Sequence, residues 1–467
     1  MKIGLVGPSF AQRSLPWDAQ RSINFFPVFD EMGKEVTALY SVPGKSLFST
    51  AGVGAIRGQF FSTNGRAFAV SGTKLYEISS NGTATDRGSI DTAAGAVTIA
   101  ENGTQLAICD GASLYIFTYG TNTLAKVTDP DFPSVVGTVC FLDGYFLVNQ
   151  IGTGRFYVSD LNNGASWDAL NFATAESSPD GLLAVVSALG QLWLFGTFTT
   201  EIWTYTTDLN PPFRPISGAK IDVGILSPFS YVEIDNSIVW VGRDRFGQGI
   251  VYKAQGFSPA RISNTFIERR IQEAASPETI RAYAYQEEGN TFYVLTDGGL
   301  ETTLVYDLTT QEWHERAFLN ESGRFEPDLG SCHMYAFGKH LVGDRRNGNI
   351  YHLSMNYYSD GGNELVRERV YTHLFDEGRR IRYNALEIGF ETGVGLQVGQ
   401  GSNPTVSLAL SKDGARTWID CGSASIGAVG QYQTKVEFRR LGIAEQMTFK
   451  IRITDPVKVA IVGSYLR

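Results

Sequence analysis

This sequence predicts an all-β chain organised around a β-propeller, and three observations carry the prediction. Seven apolar strand pairs, six accompanied by Asn-Gly, Asp-Gly or single-Gly turns and one by Asp235-Asn236, recur between Asn64 and Tyr351. Their spacing of roughly 38 to 54 residues is that of propeller blades. Aromatics make up 12 % of the chain and 51 of its 467 residues are Gly, a composition suited to short strands and tight hairpins rather than helices.

In chain order, residues 1–55 read as an extended arm, with Pro8, Pro16, Pro27 and Pro43 and no hairpin pair. Three courses are open to it: wrapping the propeller, supplying its closing strand, or reaching a neighbouring molecule. A packed meander is the favoured form. Its exposed-aromatic candidates for a partner are Trp17, Phe25 and Phe26, with packing on the propeller as the plainer alternative. The opening Met1-Lys2-Ile3-Gly4-Leu5-Val6-Gly7 has the look of a first dinucleotide-binding strand. It lacks the third Gly, runs into Pro8 and is followed by no amphipathic helix, so no cofactor is expected.

The propeller is expected over 56–358. In its first unit Asn64-Gly65 precedes Phe68-Ala69-Val70, and Leu75-Tyr76 follows; in its last, Gly338 precedes His340-Leu341-Val342, and Ile350-Tyr351 closes the series. Asn-Gly and Asp-Gly supply the positive φ of tight hairpins. One blade cannot bury its own faces, so the units must close into a ring, of six or seven blades. Helix signals are confined to 262–275 and 364–372, where loop or strand remains equally open. A break at Ser359-Asp360-Gly361-Gly362-Asn363 introduces longer alternating strands such as Val406-Ser407-Leu408-Ala409-Leu410, predicting a β-sandwich-like domain over 364–467.

The net charge of −9 argues against a protein whose main task is gripping nucleic acid. Residues 364–467 carry 14 Lys and Arg against 11 Asp and Glu, leaving 25 against 37 before them: an acidic body with a mildly basic tail. Cys109, Cys140, Cys332 and Cys421 show no CxxC spacing and are expected as free, buried thiols. No signal peptide or membrane span is read, which predicts synthesis in a cytosol and no membrane insertion.

No catalytic constellation emerges. His314, His333, His340, His352 and His373 form no compact metal pattern, and His333 and His340 flank one blade strand as ordinary blade residues. There is neither a Walker loop nor a GxSxG elbow. Catalytic, cofactor and metal residues are therefore all expected to be none. Ser411–Trp418 and Ser159–Trp167 resemble the Asp-box turn of sialidase-type propellers, in which Ser and Asp side chains bond local backbone and Trp packs beneath. Such turns are structural and do not imply catalysis. The densest basic spots, Arg379-Arg380-Ile381-Arg382 and Arg439-Arg440, are candidates for contact with DNA or an acidic partner, against the plainer reading of a solvated strand face.

Several pieces, in order and spacing, resemble the packaged-DNA stabilisation or tail-hub proteins of short-tailed bacteriophages. They are Arg21-Ser22-Ile23-Asn24-Phe25-Phe26-Pro27-Val28, Tyr40–Gly44, Ile56-Arg57-Gly58, Glu176–Gly181, Leu192–Gly196 with Glu201-Ile202, Leu408–Gly414 and Arg439-Arg440-Leu441-Gly442. The resemblance implies a non-enzymatic virion protein made in the host cytoplasm, which forms a ring, typically a hexamer, below the portal and its adaptor. It would hold a needle or plug, carry tailspikes or fibres, and let double-stranded DNA pass without sequence-specific binding. An acidic body suits such a conduit, because like charge keeps phosphates from sticking. The alternative is a glycan-active or glycan-binding propeller, a sialidase-like enzyme or a lectin.

Overall fold

The structure is a computed structural model of the chain, described for all residues except 1–2, 5–6, 16–17, 30–36, 177 and 209. Seven blades follow one another around a central channel. The repeating pair seen in the sequence is the second and third strand of each blade. In blade 1 it is Ala67–Ser71 with Lys74–Ile78, flanked by Ile56–Phe61 on the channel side and Ala84–Ser89 outside. Position explains the pattern: Ala67–Ser71 is buried along its whole length between neighbouring blades, whereas an outer strand such as Thr123–Lys126 is largely exposed. The tight turns have the expected left-handed geometry. Asp143 and Gly144, at φ 49° and 91°, join Leu142 to its pairing partner Tyr145, and Asp235-Asn236 does the same in blade 5.

Blades 2, 3 and 4 begin at Thr98, Val136 and Leu182; blade 5 centres on Ser237–Arg243 and blade 6 on Asn290–Asp297. Blade 7 has only three strands of its own, Gly330–Ala336, Lys339–Asp344 and Asn349–Ser354. Its fourth is Gly44–Thr50 from the arm, antiparallel to Asn349–Ser354. The N-terminal arm thus closes the ring on the last blade, and of the three courses open to it, the closing strand is realised.

The rest of the arm is not a simple meander. Phe25–Phe29 and Thr37–Ser41 pair antiparallel, which corrects the expectation of no hairpin pair, and Thr37–Ser41 adds to the strand Ala460–Leu466 of the C-terminal domain. Ala19–Ile23 lies between blade 6 and the C-terminal domain, parallel to Glu312–Leu319 and antiparallel to Arg367–Val370. One continuous sheet therefore runs from blade 6 through the arm into the sandwich. The segment 364–372 contains this strand, not a helix; Arg367–Val370 is buried along its whole length, and both guanidinium groups find backbone carbonyls, Arg367 that of Asp455 and Arg369 that of Pro8.

The sandwich packs Ile381–Phe390, Val436–Ala444 and Ala460–Leu466 against Thr405–Ser411 and Gln446–Ile453, with Leu386, Ile388, Leu408, Leu410, Phe449 and Ile451 between the sheets. The helix Thr265–Gln272 does form. Asn264 Oδ1 accepts the Ile267 N–H at 3.1 Å as its N-cap, and Phe266, Ile267 and Ile271 are buried between blades 5 and 6. Among the described residues no helix is long and apolar enough to cross a membrane.

Polar bonds also lock adjacent blades. Asn149, fully buried in blade 3, accepts the Thr138 N–H and Oγ–H at 2.8 and 2.9 Å and donates to the Leu182 and Leu183 carbonyls of blade 4, both at 3.2 Å. Asn149→Ala removes the partner of these groups, and an unfolding cost of about 2 kcal/mol is expected. Urea denaturation measures it; a cost below about 0.5 kcal/mol would mean the junction is held by apolar packing alone.

Candidate functional site

The first strands of the blades surround a cavity of about 480 Å³, lined among others by Arg57, Gln59, Glu233, Arg281, Cys332 and His333. This is where a propeller enzyme would hold a substrate. Arg57, however, is fully committed: Nε donates to the Gly95 carbonyl, Nη1 to those of Gly72 and Thr92, and Nη2 to Thr92 Oγ and the Ala94 carbonyl, at 2.6 to 2.8 Å. Four of these bonds fasten blade 1 to the loop entering blade 2 and the fifth stays within blade 1, so no guanidinium N–H is left for a substrate carboxylate. Arg281 lies 3.2 Å from Asp297. Cys332 faces Gln59 Oε1 at 3.5 Å, and burial pushes its thiol up to about 11, far from a thiolate nucleophile at neutral pH. The four cysteines are free; Cys109 and Cys140 are buried, Cys332 and Cys421 partly so.

The five histidines scatter into four environments. His314 is sealed between Phe26 and Phe292, and burial with Arg316 nearby holds it well below its ordinary value. His373 bonds Thr448 Oγ and the Leu15 carbonyl, and His352 bonds the Tyr357 hydroxyl at 3.1 Å. His333 and His340 meet directly, Nε2 to Nδ1 at 3.1 Å. Among the described residues no three His, Cys, Asp or Glu side chains group to hold a metal.

Both Asp-box segments form local turns. Asp413 accepts the Arg416 and Thr417 N–H groups and the Thr417 hydroxyl, whose bonds hold its carboxyl far below the usual range. Trp418 packs under Lys450, 4.5 Å from its ammonium. In blade 3, Trp167 is buried against Phe132 and donates to the Gly164 carbonyl. Arg379, Arg380, Arg382, Arg439 and Arg440 are exposed on the sandwich, with Arg439 bonded to Glu437 and Arg380 3.7 Å from Glu445. Phe25 and Phe26 do not anchor a partner: Phe25 is in the sandwich core, and Phe26 packs on Phe292 and Tyr40. Trp17 lies outside the described residues, as do Met1, Lys2, Leu5 and Val6 of the opening segment.

The most elaborate polar structure is the seam joining propeller, arm and sandwich, which residue patterns alone did not single out. Glu315 of blade 6 is fully buried. It accepts Arg21 Nε and Nη2 at 2.9 and 2.5 Å, Ser9 Oγ at 2.9 Å and Thr302 Oγ at 2.8 Å. Asn24, held at φ 56°, donates to the carbonyls of Ala317 in blade 6 and Val366 at the sandwich entrance. Arg369 reaches Ser22 Oγ and Gln20 Oε1; Arg367 reaches Ser41 Oγ and the Val457 carbonyl. A second knot holds the closing strand: Lys45, buried, lies 2.5 Å from Asp328 and 2.9 Å from Asp360. A signal for the first was present in Arg21-Ser22-Ile23-Asn24, where polar residues are interleaved with an apolar strand pattern. Nothing local announces which distant carboxylate each one meets.

A closed propeller with a sandwich built onto its flank, and with buried charge spent on joining the parts, defines a two-domain all-β protein. The chain belongs to the bacteriophage P22 Gp10 family of phage stabilisation proteins. A family model described as the Bacteriophage P22 Gp10 beta-propeller matches residues 1–358, and one described as the Bacteriophage P22 Gp10 beta-sandwich matches 367–467. No curated protein matches the sequence. Solved structures are similar in fold at a distance. The N-terminal domain of Nup159 is 12 % identical, with 67 % of this chain and 95 % of that one covered, TM-score 0.39. The computationally designed Ika8 protein is 13 % identical, covering 74 % and 99 %, TM-score 0.39. The extracellular domain of the putative hybrid two component system BT4673 from B. thetaiotaomicron is 10 % identical, covering 84 % and 57 %, TM-score 0.46. The chain is thus a phage virion component of all-β construction, propeller first and sandwich second.

Proposed function

We propose that this chain completes the phage head without catalysis, as a tail hub that continues the portal channel, retains the packaged DNA and carries the needle or plug and the tailspikes or fibres. The observation that carries the reading is that the two Gp10-family regions account for 1–358 and 367–467, nearly the whole chain. The buried seam and closing strand suit it, since a channel wall must keep its shape against packaged DNA. The partners are the portal or adaptor ring, the needle, the spikes or fibres, and further copies of the chain in a ring of six. A cavity of about 480 Å³ is of small-molecule size, so the DNA path runs between copies and not through the propeller. The acidic excess before residue 364 fits a conduit along which phosphates slide.

The test is DNA retention in particles assembled without the chain. Heads are expected to package DNA and then leak it, with retention restored by the purified chain. Particles that hold their DNA and still gain complete tails would overturn the sealing role and direct attention to glycan binding and hydrolysis.

A further inference from the structure

Opposite charges sit on opposite sides of this molecule. Residues 127–235, from the entry of blade 3 to the first hairpin of blade 5, hold 12 Asp and Glu against three Lys and Arg, and the remaining residues carry 36 of each sign. The whole net charge of −9 thus resides in blades 3 and 4 and their connections. In a ring of seven these blades stand across from blades 6 and 7, where the arm strand Ala19–Ile23 and the short strand Ser359–Asp360 lead into the mildly basic sandwich.

On the sandwich, Phe375, Arg380, Lys412, Ile443 and Glu445 line an open groove of about 650 Å³. Phe375 is 71 % exposed and Ile443 54 %, and Arg382 stands opposite Ile443 on the paired strand. Arg380 has Glu445 at 3.7 Å; among the described residues Lys412 meets no carboxylate, its ammonium donating to the Ile443 carbonyl at 3.4 Å. An apolar floor with a cationic rim matches a protein surface that carries apolar side chains beside carboxylates. A DNA backbone would use the cations but not Phe375 or Ile443. The outer flank of blade 3 is a surface of the matching kind. Leu161 is 61 % exposed and Leu170 77 %, and each stands close in sequence to an exposed acid: Asp160 at the turn before the outer strand Asn163–Thr174, and Asp168 within that strand. Asp160 accepts the Ser166 hydroxyl at 2.6 Å and Asp168 the Leu170 N–H at 2.9 Å, and among the described residues neither meets a cation.

We propose that the sandwich groove of one copy docks on the outer flank of blade 3 of a second copy, with Phe375 and Ile443 against Leu161 and Leu170 and with Arg380 and Lys412 against Asp160 and Asp168. The inference rests on the chain acting as a ring of copies, and it makes that ring head-to-tail. The two surfaces differ, so each contact leaves one of either kind open for the next copy until rotation closes the ring.

The test uses particles assembled without the chain, to which the purified full-length chain is added, with bound copies and retained DNA measured on the same particles. Arg380→Glu with Lys412→Glu is expected to raise the concentration needed for half-maximal addition at least about tenfold, and Asp160→Lys with Asp168→Lys to do the same. The chain carrying all four changes is expected to recover, because its two reversed surfaces meet each other. All four positions are exposed, and circular dichroism verifies that the variants fold. If either pair of changes leaves addition as it was, or if the fourfold variant fails to recover, the two surfaces do not meet: the interface is wrong while the ring stands. Lost DNA with unchanged copy number in the Arg380→Glu, Lys412→Glu chain would make the groove a DNA contact and overturn the proposal. If wild-type copies add singly or not at all, the ring reading itself fails, and the interface with it.

Discussion

Lys45→Ala is expected to lower the unfolding free energy by about 3–5 kcal/mol, because it leaves Asp328 and Asp360 buried beside each other without a cation. The lysine comes from the closing strand Gly44–Thr50, Asp328 precedes the first strand of blade 7, and Asp360 sits in the small hairpin that leaves the propeller. Removing the charge therefore affects ring closure and the approach to the sandwich together. Urea denaturation measures the cost, and hydrogen exchange across Asn349–Ser354 shows where the structure opens. Combining Lys45→Met with Asp328→Asn and Asp360→Asn should recover most of the loss, since the penalty lies in unpaired charge and not in missing volume. A cost below about 1 kcal/mol for Lys45→Ala would mean that the backbone ladder alone closes the ring. The pair responds to acid in opposite senses. Burial would raise Asp328, but Lys45 leaves it lowered, so its contribution is present above the ordinary carboxylate range and lost as pH falls through its folded value. Asp360 is raised by burial despite Lys45 and so takes up its proton earlier, without that loss.

Glu315→Ala is the second large expectation, at about 3 kcal/mol. The carboxylate is the shared acceptor of Arg21 and Ser9 from the arm and Thr302 from blade 6, with Arg270 at 3.8 Å. Its loss leaves Arg21 without its ion pair at the strand that bridges blade 6 to the sandwich. The expected signature is a split denaturation curve with the sandwich releasing first, and early hydrogen exchange at Ala19–Ile23. A single shifted transition would show that the continuous sheet couples the domains without the ion pair. Burial alone would raise Glu315, but the charge and hydrogen bonds of Arg21, with Arg270 and Thr302, leave it below its ordinary value. The seam is thus fully stabilising above the usual glutamate range and loses this contribution as pH falls through the still lower folded value. In the Glu315→Ala chain the acid dependence of sandwich release should be correspondingly flatter.

The sequence by itself determined the strands, their pairing into blades and the place of the sandwich. Asp143-Gly144 and Asp235-Asn236 specify turns by their own backbone preferences, and doubly buried strands such as Ala67–Ser71 must be apolar on both faces. These are local requirements, written where they act. The Asp-box turns were legible for the same reason, since Asp413 bonds only its own neighbours. What tertiary structure decided was every role that depends on a partner far along the chain. Seven blades rather than six follows from a fourth strand that comes from residues 44–50, some 300 positions from the strand it joins. Phe25 and Phe26 look alike in sequence, yet one fills the sandwich and the other packs on blade 6, because successive strand residues face opposite sides. Nothing beside Arg21, Lys45, Arg367 and Arg369 in the sequence marks the groups they meet. Only the fold brings Glu315, Asp328, Asp360 and the backbone carbonyls to them, and burial of Lys45, Arg367 and Arg369 then turns each of those three from a solvated group into one that must be paired.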